Sequence, residues 1–303
     1  MSTVIESALN GVQFGLMLFL LAAGLTLVFG IMDMINLAHG SLYMFGAYLT
    51  AALVEPTGSF LLAMLVALLA TAAIGMLLET TVLRTLYQRD HLSQVLATFA
   101  LILIGNEVVR MIWGPQPRRL ALPELFSGPV DLAGIQYPSY RLLVIGVGLA
   151  VALLLYLVVA RTRVGMWVRA GASNREMATV MGVDIKRLFT LVFGLGALLC
   201  AVAGALLGPL LSVQVGMGES ILILAFVVVV IGGIGSIRGA LAGSLMVGMV
   251  DTVGRTLVPG ALGTVFSPSV ASNLGPTLAS ILIYVLMAAV LFWKPQGLFP
   301  ARG

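Results

Sequence analysis

The chain has 303 residues, of which 60% are hydrophobic and only 9% are charged. Soluble domains carry about 25% charged residues, so this composition excludes a water-soluble fold and indicates an all-α, polytopic transmembrane helical bundle. The net charge of +4 does not indicate nucleic-acid binding, because most of the arginines lie in loops between apolar segments.

Nine apolar segments follow one another, and most approach the ~20 residues that a spanning helix needs. They cover residues 11–32, 37–54, 60–82, 95–113, 142–160, 188–211, 220–234, 237–258 and 277–293. The pattern predicts eight or nine crossings of a single membrane domain, residues 1–303. The number depends on whether the breaks at 33–39 and 232–238 are full loops or interruptions inside the membrane.

The basic residues predict an orientation, since lysine and arginine concentrate in cytoplasmic loops. Arg84, Arg89 and the basic residues of 161–187 fall on one side if the segments alternate. Nine crossings place three more basic residues on that side: Arg238, Lys294 and Arg302. The N-terminus is therefore expected outside and the C-terminus in the cytoplasm.

The first polar break lies in "GIMDMINLAHGSLYMFGAYL", residues 30–49. One interpretation is a wet loop, in which Asp33 ends one helix, Asn36 caps the next helix and His39 lies in its first turn. The other is a chain unwound beside a transport route, because ionisable groups at membrane depth are costly and usually line polar pathways. The residues alone favour neither interpretation.

Two longer polar stretches have different characters. Residues 114–140 contain five prolines, which fix φ and lack a backbone donor, so an irregular outer segment is expected there. Residues 161–187 contain "NREMATVMGVD", in which Asn174 can cap a short helix and Gly182 follows its end. Glu176 lies in its first turn, and three apolar residues share one face: Met177, Val180 and Met181. Such an amphipathic cytoplasmic helix needs a partner surface.

Glycines dominate the second break, "GGIGSIRGALAG". Gly232, Gly233 and Gly235 would each weaken a helix by about 1 kcal/mol, so an unwound segment is expected, which membrane proteins tolerate only inside protein or beside a cavity. The spacing of Gly235, Gly239 and Gly243 places all three on one helical face, where backbones can approach closely. The two breaks form a weak two-fold pattern of the kind that marks transport sites in carriers.

Several chemistries are not expected of this chain. A phosphate-binding loop needs lysine after glycine, and neither Lys186 nor Lys294 follows one. His39 and His91 show no zinc-ligand spacing, so we expect no enzyme activity, metal or cofactor. Asp251 and Arg255, four residues apart, are expected to form a structural ion pair. Few buried carboxylates disfavour an ion-driven carrier, although a stand-alone secondary carrier and a structural scaffold remain alternatives.

Three stretches together resemble a known family: "GLTLVFGIMDMINLAHGSLYMFGAYL", "RAGASNREMATVMGVDIKRL" and "GGIGSIRGALAG". They are similar to the inner-membrane permeases of bacterial branched-chain amino acid ABC importers, and more closely to the shorter of the two permease types. The resemblance covers nearly the whole chain in order. Relatives also include transporters of other amino acids, of urea or amides and of aromatic acids, so the resemblance does not fix the substrate.

The resemblance implies a second, homologous permease as partner, two cytoplasmic ATPase subunits that bind ATP and magnesium, and a periplasmic binding protein that docks near residues 114–140. It implies alternating access in a multi-pass protein of the bacterial inner membrane. The candidate pathway or gate residues are Asn36, His39, Ser41, Gly232, Gly233 and Gly235. The candidate ATPase-coupling residues are Arg169, Asn174, Arg175, Glu176, Met177, Met181 and Gly182, of which Arg175 and Glu176 are expected at the ATPase contact.

Overall fold

The computed structural model describes residues 2–132, 134–264 and 266–299. These residues form an all-α bundle, as predicted, with one short β-hairpin. The helices are α1 Ser2–Met32, α2 His39–Thr57, α3 Phe60–Leu78, α4 Arg84–Leu86, α5 His91–Trp113, α6 Ser139–Arg161, α7 Arg163–Ser173, α8 Arg175–Val180, α9 Ile185–Leu207, α10 Met217–Gly232, α11 Ile237–Leu262 and α12 Pro268–Trp293. A π-helical turn, Glu79–Leu83, joins α3 to α4. Arg302 lies outside the described residues.

Among the described residues, seven helical stretches are long and apolar enough to cross a membrane. They are Val4–Met32, Phe60–Leu86, His91–Trp113, Ser139–Arg161, Ile185–Leu207, Ile237–Leu262 and Ser269–Trp293. Helix α2 has 19 residues but is less apolar, and α10 has 16 residues, about 24 Å at 1.5 Å per residue. The predicted count of eight or nine crossings depends on these two helices and stays a prediction.

The bundle is built around α1 and α9. Their most apolar windows are 83% and 78% buried, whereas those of the other spanning helices are at most 33% buried. The two helices touch through glycine, since a Cβ on Gly24 would lie 3.0 Å from the carbonyl oxygen of Gly196. Gly11 contacts Met249 of α11, and Gly204 contacts the backbone of Tyr43 in α2. These contacts agree with the packing role expected for small residues.

The two ends of the bundle differ in charge. We call the end formed by residues 30–33, 79–90, 161–187, 233–236 and 294–299 the basic face. Arg84 of α4 donates to Thr190 of α9 across this face at 2.8 Å, so these two basic parts of the chain lie at the same end of the bundle. At the opposite end, Tyr137 donates to Asn10 at 2.9 Å. The expected pair of Asp251 and Arg255 is present at 2.8 Å.

The proline-rich segment is more regular than predicted. Strands β1 Pro129–Leu132 and β2 Ile135–Pro138 form an antiparallel hairpin, and Gly134 has the positive φ of 89° that a tight turn requires. Pro129 and Pro138 face each other at the open end of the hairpin, where a missing N–H interrupts no ladder. Arg118 also exchanges backbone hydrogen bonds with Val213, at 2.8 and 2.9 Å. The prolines therefore bound the strands, and the prediction of an irregular segment was wrong for the hairpin at 129–138.

Candidate functional site

The first polar break folds back into the bundle. Helix α1 ends at Met32, and Asp33 adopts a left-handed backbone with φ 51° that reverses the chain. His39 then lies beside Gly24, where a Cβ would come within 2.9 Å of its Nε2. Gly24 precedes Met32 by eight residues, which is roughly 12 Å of helix. Helix α2 therefore begins inside the bundle, and only Asp33 occupies the exposed position expected of a wet loop.

Asn36 is fully buried in this returning segment. Its Oδ1 accepts a hydrogen bond from the amide of Ala38 at 3.0 Å, a local turn that closes the extended segment. Ala38 is the residue that precedes the first turn of α2, so the cap by Asn36, which belonged to the wet-loop interpretation, is not formed. The Asn36 Nδ2 has no hydrogen-bond partner within the described residues, and such unsatisfied buried groups are rare in proteins.

His39 occupies the crossing point of α1 and α9. It is fully buried, its Nε2 lies 3.0 Å from the Cys200 Sγ, and its ring packs against the positions of Gly24 and Gly196. The backbone of Leu21 lies against the ring as a hydrogen-bond acceptor, although Nδ1 has no partner at normal hydrogen-bond geometry within the described residues. Because an unpaired buried charge is very costly, we expect a neutral imidazole.

Ser41 points away from His39, towards α5. Its Oγ would lie 3.5 Å from a Cβ on Gly105 and has no hydrogen-bond partner. Between them, Gly40 touches Gly218 of α10, where a Cβ on either glycine would come within 2.4 Å of the other's carbonyl oxygen. The first turns of α2 and α10 therefore meet, backbone to backbone, inside the bundle.

The second break is an unwound turn, as predicted. Gly233 and Gly235 have φ of 103° and 81°, and Gly235 lies before the start of α11, so its predicted place on one helical face with Gly239 and Gly243 was wrong. A Cβ on Gly30 would lie 3.0 Å from the Cα of Gly235. The end of α1 and the second break therefore meet at the basic face, while Asn36, His39 and Ser41 lie on the segment that leads inward.

The residues that follow α12 form hydrogen bonds beside this turn. The amides of Leu298 and Phe299 donate to the carbonyl oxygens of Ile231 and Gly232, at 2.9 and 3.0 Å. These carbonyls belong to the last turn of α10, which has no intrahelical donors for them. The glycines at 232 and 233 thus serve close backbone packing in this conformation.

The predicted coupling segment contains two helices instead of one. Helix α7, which the sequence analysis missed, begins after Thr162, whose side chain accepts from the amide of Gly165. Helix α8 begins as predicted at Asn174, whose Oδ1 accepts from Met177 N at 2.9 Å. Gly182, with φ 87°, follows its end. Both ends of α8 are therefore fixed by the residues that the sequence pattern identified.

Helix α8 presents an apolar face to solvent. Met177, Val180 and Met181 are 58%, 82% and 77% exposed, and Glu176 beside them is exposed as well. An exposed apolar patch of this kind indicates a surface that binds another protein or the membrane.

Arg175 and Arg169, which were also predicted as coupling residues, donate hydrogen bonds to neighbouring helices instead of joining this apolar face. Arg175 donates to the carbonyl oxygen of Ile31 from Nη2 at 2.9 Å and from Nε at 3.2 Å, and its guanidinium lies 5.5 Å from the centre of the Phe189 ring. Arg169 donates to the carbonyl oxygen of Val159. Arg175 thus joins α8 to the end of α1, next to the first break.

An ionic cluster at the basic face escaped the sequence analysis. Glu79 is fully buried and accepts from Arg84 at 3.0 Å, from Tyr87 at 2.8 Å and from Thr190 at 2.6 Å. Burial and the bond to Glu79 raise the pKa of the Tyr87 phenol, which therefore remains a donor. The π-helical turn begins at Glu79, and such turns are common at functional sites. The sequence signal for this cluster was the spacing of Glu79 and Arg84, five residues apart in "ETTVLR".

A polar cleft of about 190 Å³ opens at the basic face between the end of α1 and the junction of α7 and α8. It is lined by Gly30, Ile31, Asp33, Gly171, Ala172, Ser173 and Arg175. Within the described part of the chain, no three histidine, cysteine, aspartate or glutamate side chains gather as a metal site would require.

A family model described as the permease component of branched-chain amino acid transport systems matches residues 7–291. The chain is 29% identical to the high-affinity branched-chain amino acid transport system permease protein BraD of Pseudomonas aeruginosa, over 97% of this chain and 95% of BraD. It is 31% identical to the corresponding protein LivH of Escherichia coli, over 82% of this chain and 85% of LivH. A probable LivH of Methanocaldococcus jannaschii is 28% identical, over 93% and 88% of the two chains.

Proposed function

The chain belongs to the family of permease components of branched-chain amino acid transport systems, and from that premise we propose that it translocates branched-chain or related amino acids as a subunit of an ATP-driven importer of the bacterial inner membrane. Its relatives BraD and LivH carry high-affinity branched-chain amino acid transport in their names. Helices long enough to span a membrane support a multi-pass subunit.

The proposed assembly contains a second, homologous permease, two cytoplasmic subunits that bind ATP and magnesium, and a periplasmic binding protein. In this assembly ATP hydrolysis belongs to the partner subunits, and this chain supplies the route. The hairpin of β1 and β2, together with the rest of residues 114–140, is the proposed docking region for the binding protein.

The observation that carries the proposal is the exposed apolar face of α8. A helix with both ends capped and with Met177, Val180 and Met181 facing solvent has the form of a segment that seats in a groove of another protein. Arg175 then transmits the movement of α8 to the end of α1 through its bonds to Ile31. This assigns Met177 and Met181, with Glu176 beside them, to the ATPase contact, and assigns Arg175 to the connection behind it.

The proposed gate lies where α2 and α10 meet. The segment that connects this point to the moving end of α1 carries the buried His39 ring and the unpartnered groups of Asn36 and Ser41. Because packed interfaces of this kind switch between discrete arrangements, a shift of α1 would separate Gly40 from Gly218 and give these polar groups access to substrate.

The test is a matched pair of methionines in the reconstituted transporter. Met181 and Met111 are both 77% exposed, but Met181 belongs to the α8 face and Met111 to the membrane helix α5. We expect Met181→Gln to lower ATPase activity stimulated by the loaded binding protein by about tenfold, since truncating an interface anchor costs 1 kcal/mol or more. Met111→Gln should leave it unchanged. Equal activities in both variants, with leucine uptake intact, would contradict the assignment of α8.

A further inference from the structure

The cleft at the basic face carries both signs of charge on separate walls. Asp33 lies on the wall formed by the end of α1, and Arg175 lies on the wall formed by the junction of α7 and α8. No ion pair joins them among the described residues. At about 30 Å³ per water molecule, the cleft's volume of about 190 Å³ accommodates the head group of a small polar molecule.

The Asp33 wall is built to receive a cation. The Asp33 carboxylate is exposed and makes no hydrogen bond or ion pair within the described chain. Beside it lie Gly30 and Ile31 in the last turn of α1, where the carbonyl groups form the negative end of the helix dipole. The positive φ of Asp33, 51°, is uncommon for a residue other than glycine, and such strain clusters at functional positions.

The opposite wall is built to receive an anion. Arg175 uses Nε and Nη2 for the carbonyl oxygen of Ile31, which leaves Nη1 without a hydrogen-bond partner in the described structure. The hydroxyl of Ser173, also in the lining, has none either. A guanidinium and a hydroxyl are groups that commonly hold a carboxylate.

We propose that this cleft binds the zwitterionic head group of a free amino acid, with the ammonium group on Asp33 and the α1 carbonyls and the carboxylate on Arg175 and Ser173. The inference rests on the proposed function, which brings imported amino acids to this face of the membrane. It makes the cleft a second site, separate from the translocation route.

The position of the cleft gives the site a consequence for transport. A bound amino acid bridges the end of α1 to the junction of α7 and α8, which are the two elements that Arg175 already joins. A ligand that binds one arrangement of these elements more tightly shifts the population towards it. Amino acid accumulating inside the cell would therefore hold α8 against α1 and slow the importer.

The experiment uses the complete transporter in nanodiscs, with binding protein already saturated with L-leucine, and measures ATPase activity while further L-leucine is added up to millimolar concentration. We expect free leucine to lower the activity severalfold without changing the concentration of binding protein that gives half-maximal stimulation. In Asp33→Asn the leucine concentration for half inhibition should rise about tenfold, which corresponds to about 1.4 kcal/mol, because the ammonium group loses its charged partner. Inhibition is expressed relative to the activity of each variant without added free leucine.

Two comparisons make the result decisive. Glu55→Gln removes an exposed acid at the far end of α2 and should be inhibited like the wild type. The analogues 4-methylpentanoate and 3-methylbutylamine lack the ammonium and the carboxylate respectively, and neither should inhibit. Absence of inhibition by leucine, equal inhibition of Asp33→Asn, or inhibition by either analogue would overturn the site. Proteoliposomes that take up leucine in those cases leave the proposed function standing, whereas absence of leucine uptake would contradict the proposed function itself.

Discussion

Two buried polar side chains of the first break hold atoms that have no partner among the described residues: Asn36 Nδ2 and Ser41 Oγ. Leaving a buried donor or acceptor unsatisfied costs about 1–3 kcal/mol, so apolar residues of similar size would stabilise this conformation. Their presence on one re-entrant segment indicates a use in another state, when the site opens to substrate. Function and stability should therefore separate at these positions.

Asn36→Leu tests that separation. Leucine is close to asparagine in size and removes the unpartnered Nδ2, although it also removes the local turn bond to Ala38. We expect the thermal midpoint in detergent to change little and leucine uptake in proteoliposomes to fall at least tenfold. Normal uptake in this variant would show that Asn36 serves packing only, while a large fall in the thermal midpoint would show that the turn bond is structural.

For the Glu79 cluster we expect the opposite effect on stability, because the carboxylate oxygens of Glu79 have hydrogen-bond partners. Glu79→Gln keeps the shape but leaves Arg84 facing a neutral group, and we expect a loss of about 1–3 kcal/mol of stability. Glu107→Gln is the matched control, since the Glu107 and Arg110 side chains are both at least half exposed and such pairs are worth less than about 1 kcal/mol. Thermal unfolding of both purified variants measures the difference, and equal midpoints would contradict a stabilising role for the cluster.

Among the elements, the short helices α2 and α10 are distinctive because their first turns touch through glycine. Gly40→Ala would bring its methyl group to 2.4 Å from the carbonyl oxygen of Gly218, so the two helices must separate. We expect the variant to insert normally, to lose most leucine uptake and to show an increased basal ATPase activity, since the closed contact cannot form.

The control for this prediction is Gly146 in α6, where an added Cβ meets nothing within 4 Å. Gly146→Ala removes the entropic cost of glycine in a helix and should transport as the wild type does. If Gly40→Ala transports as well as Gly146→Ala, the contact of α2 and α10 is not part of the gate.

Local sequence signals predicted the elements whose ends are set by neighbouring residues. Asn174 and Gly182 bound α8 because capping is decided within a few positions. Asn36 has the same side-chain amide as Asn174, but it lies in a segment whose path is set by packing against α1. It therefore does not cap α2, as the wet-loop interpretation had it. The predicted helical position of Gly235 was wrong for a similar reason. The spacing of glycines cannot distinguish a helical face from a turn, and here Gly30 and the chain after α12 enclose a turn.

For the whole molecule, composition alone was sufficient to predict a membrane bundle, and the order of apolar segments predicted which loops share an end. The pairing of the two breaks required the fold. The sequence pattern matched residues 33–39 with residues 232–238, whereas inside the bundle the first turn of α2 meets the first turn of α10. The connection that precedes α10, residues 208–216, contains no comparable run of glycines. No sequence pattern therefore indicated that the start of α10 would meet the start of α2.

Orientation is the remaining property of the whole molecule, and the chain offers a matched test of it. Gln88 at the basic face and Gln136 in the hairpin are both exposed, uncharged residues, while the native Cys200 is fully buried. Because lysine and arginine are retained in the cytoplasm, a membrane-impermeant maleimide added to intact spheroplasts should label Gln136→Cys and leave Gln88→Cys unlabelled. Lysis should expose Gln88→Cys, and the wild type should remain unlabelled throughout. Labelling of Gln88→Cys before lysis would contradict the predicted orientation. The apolar face of α8 and the cleft at the basic face would then lie outside the cell, away from the ATPase and from the imported amino acid.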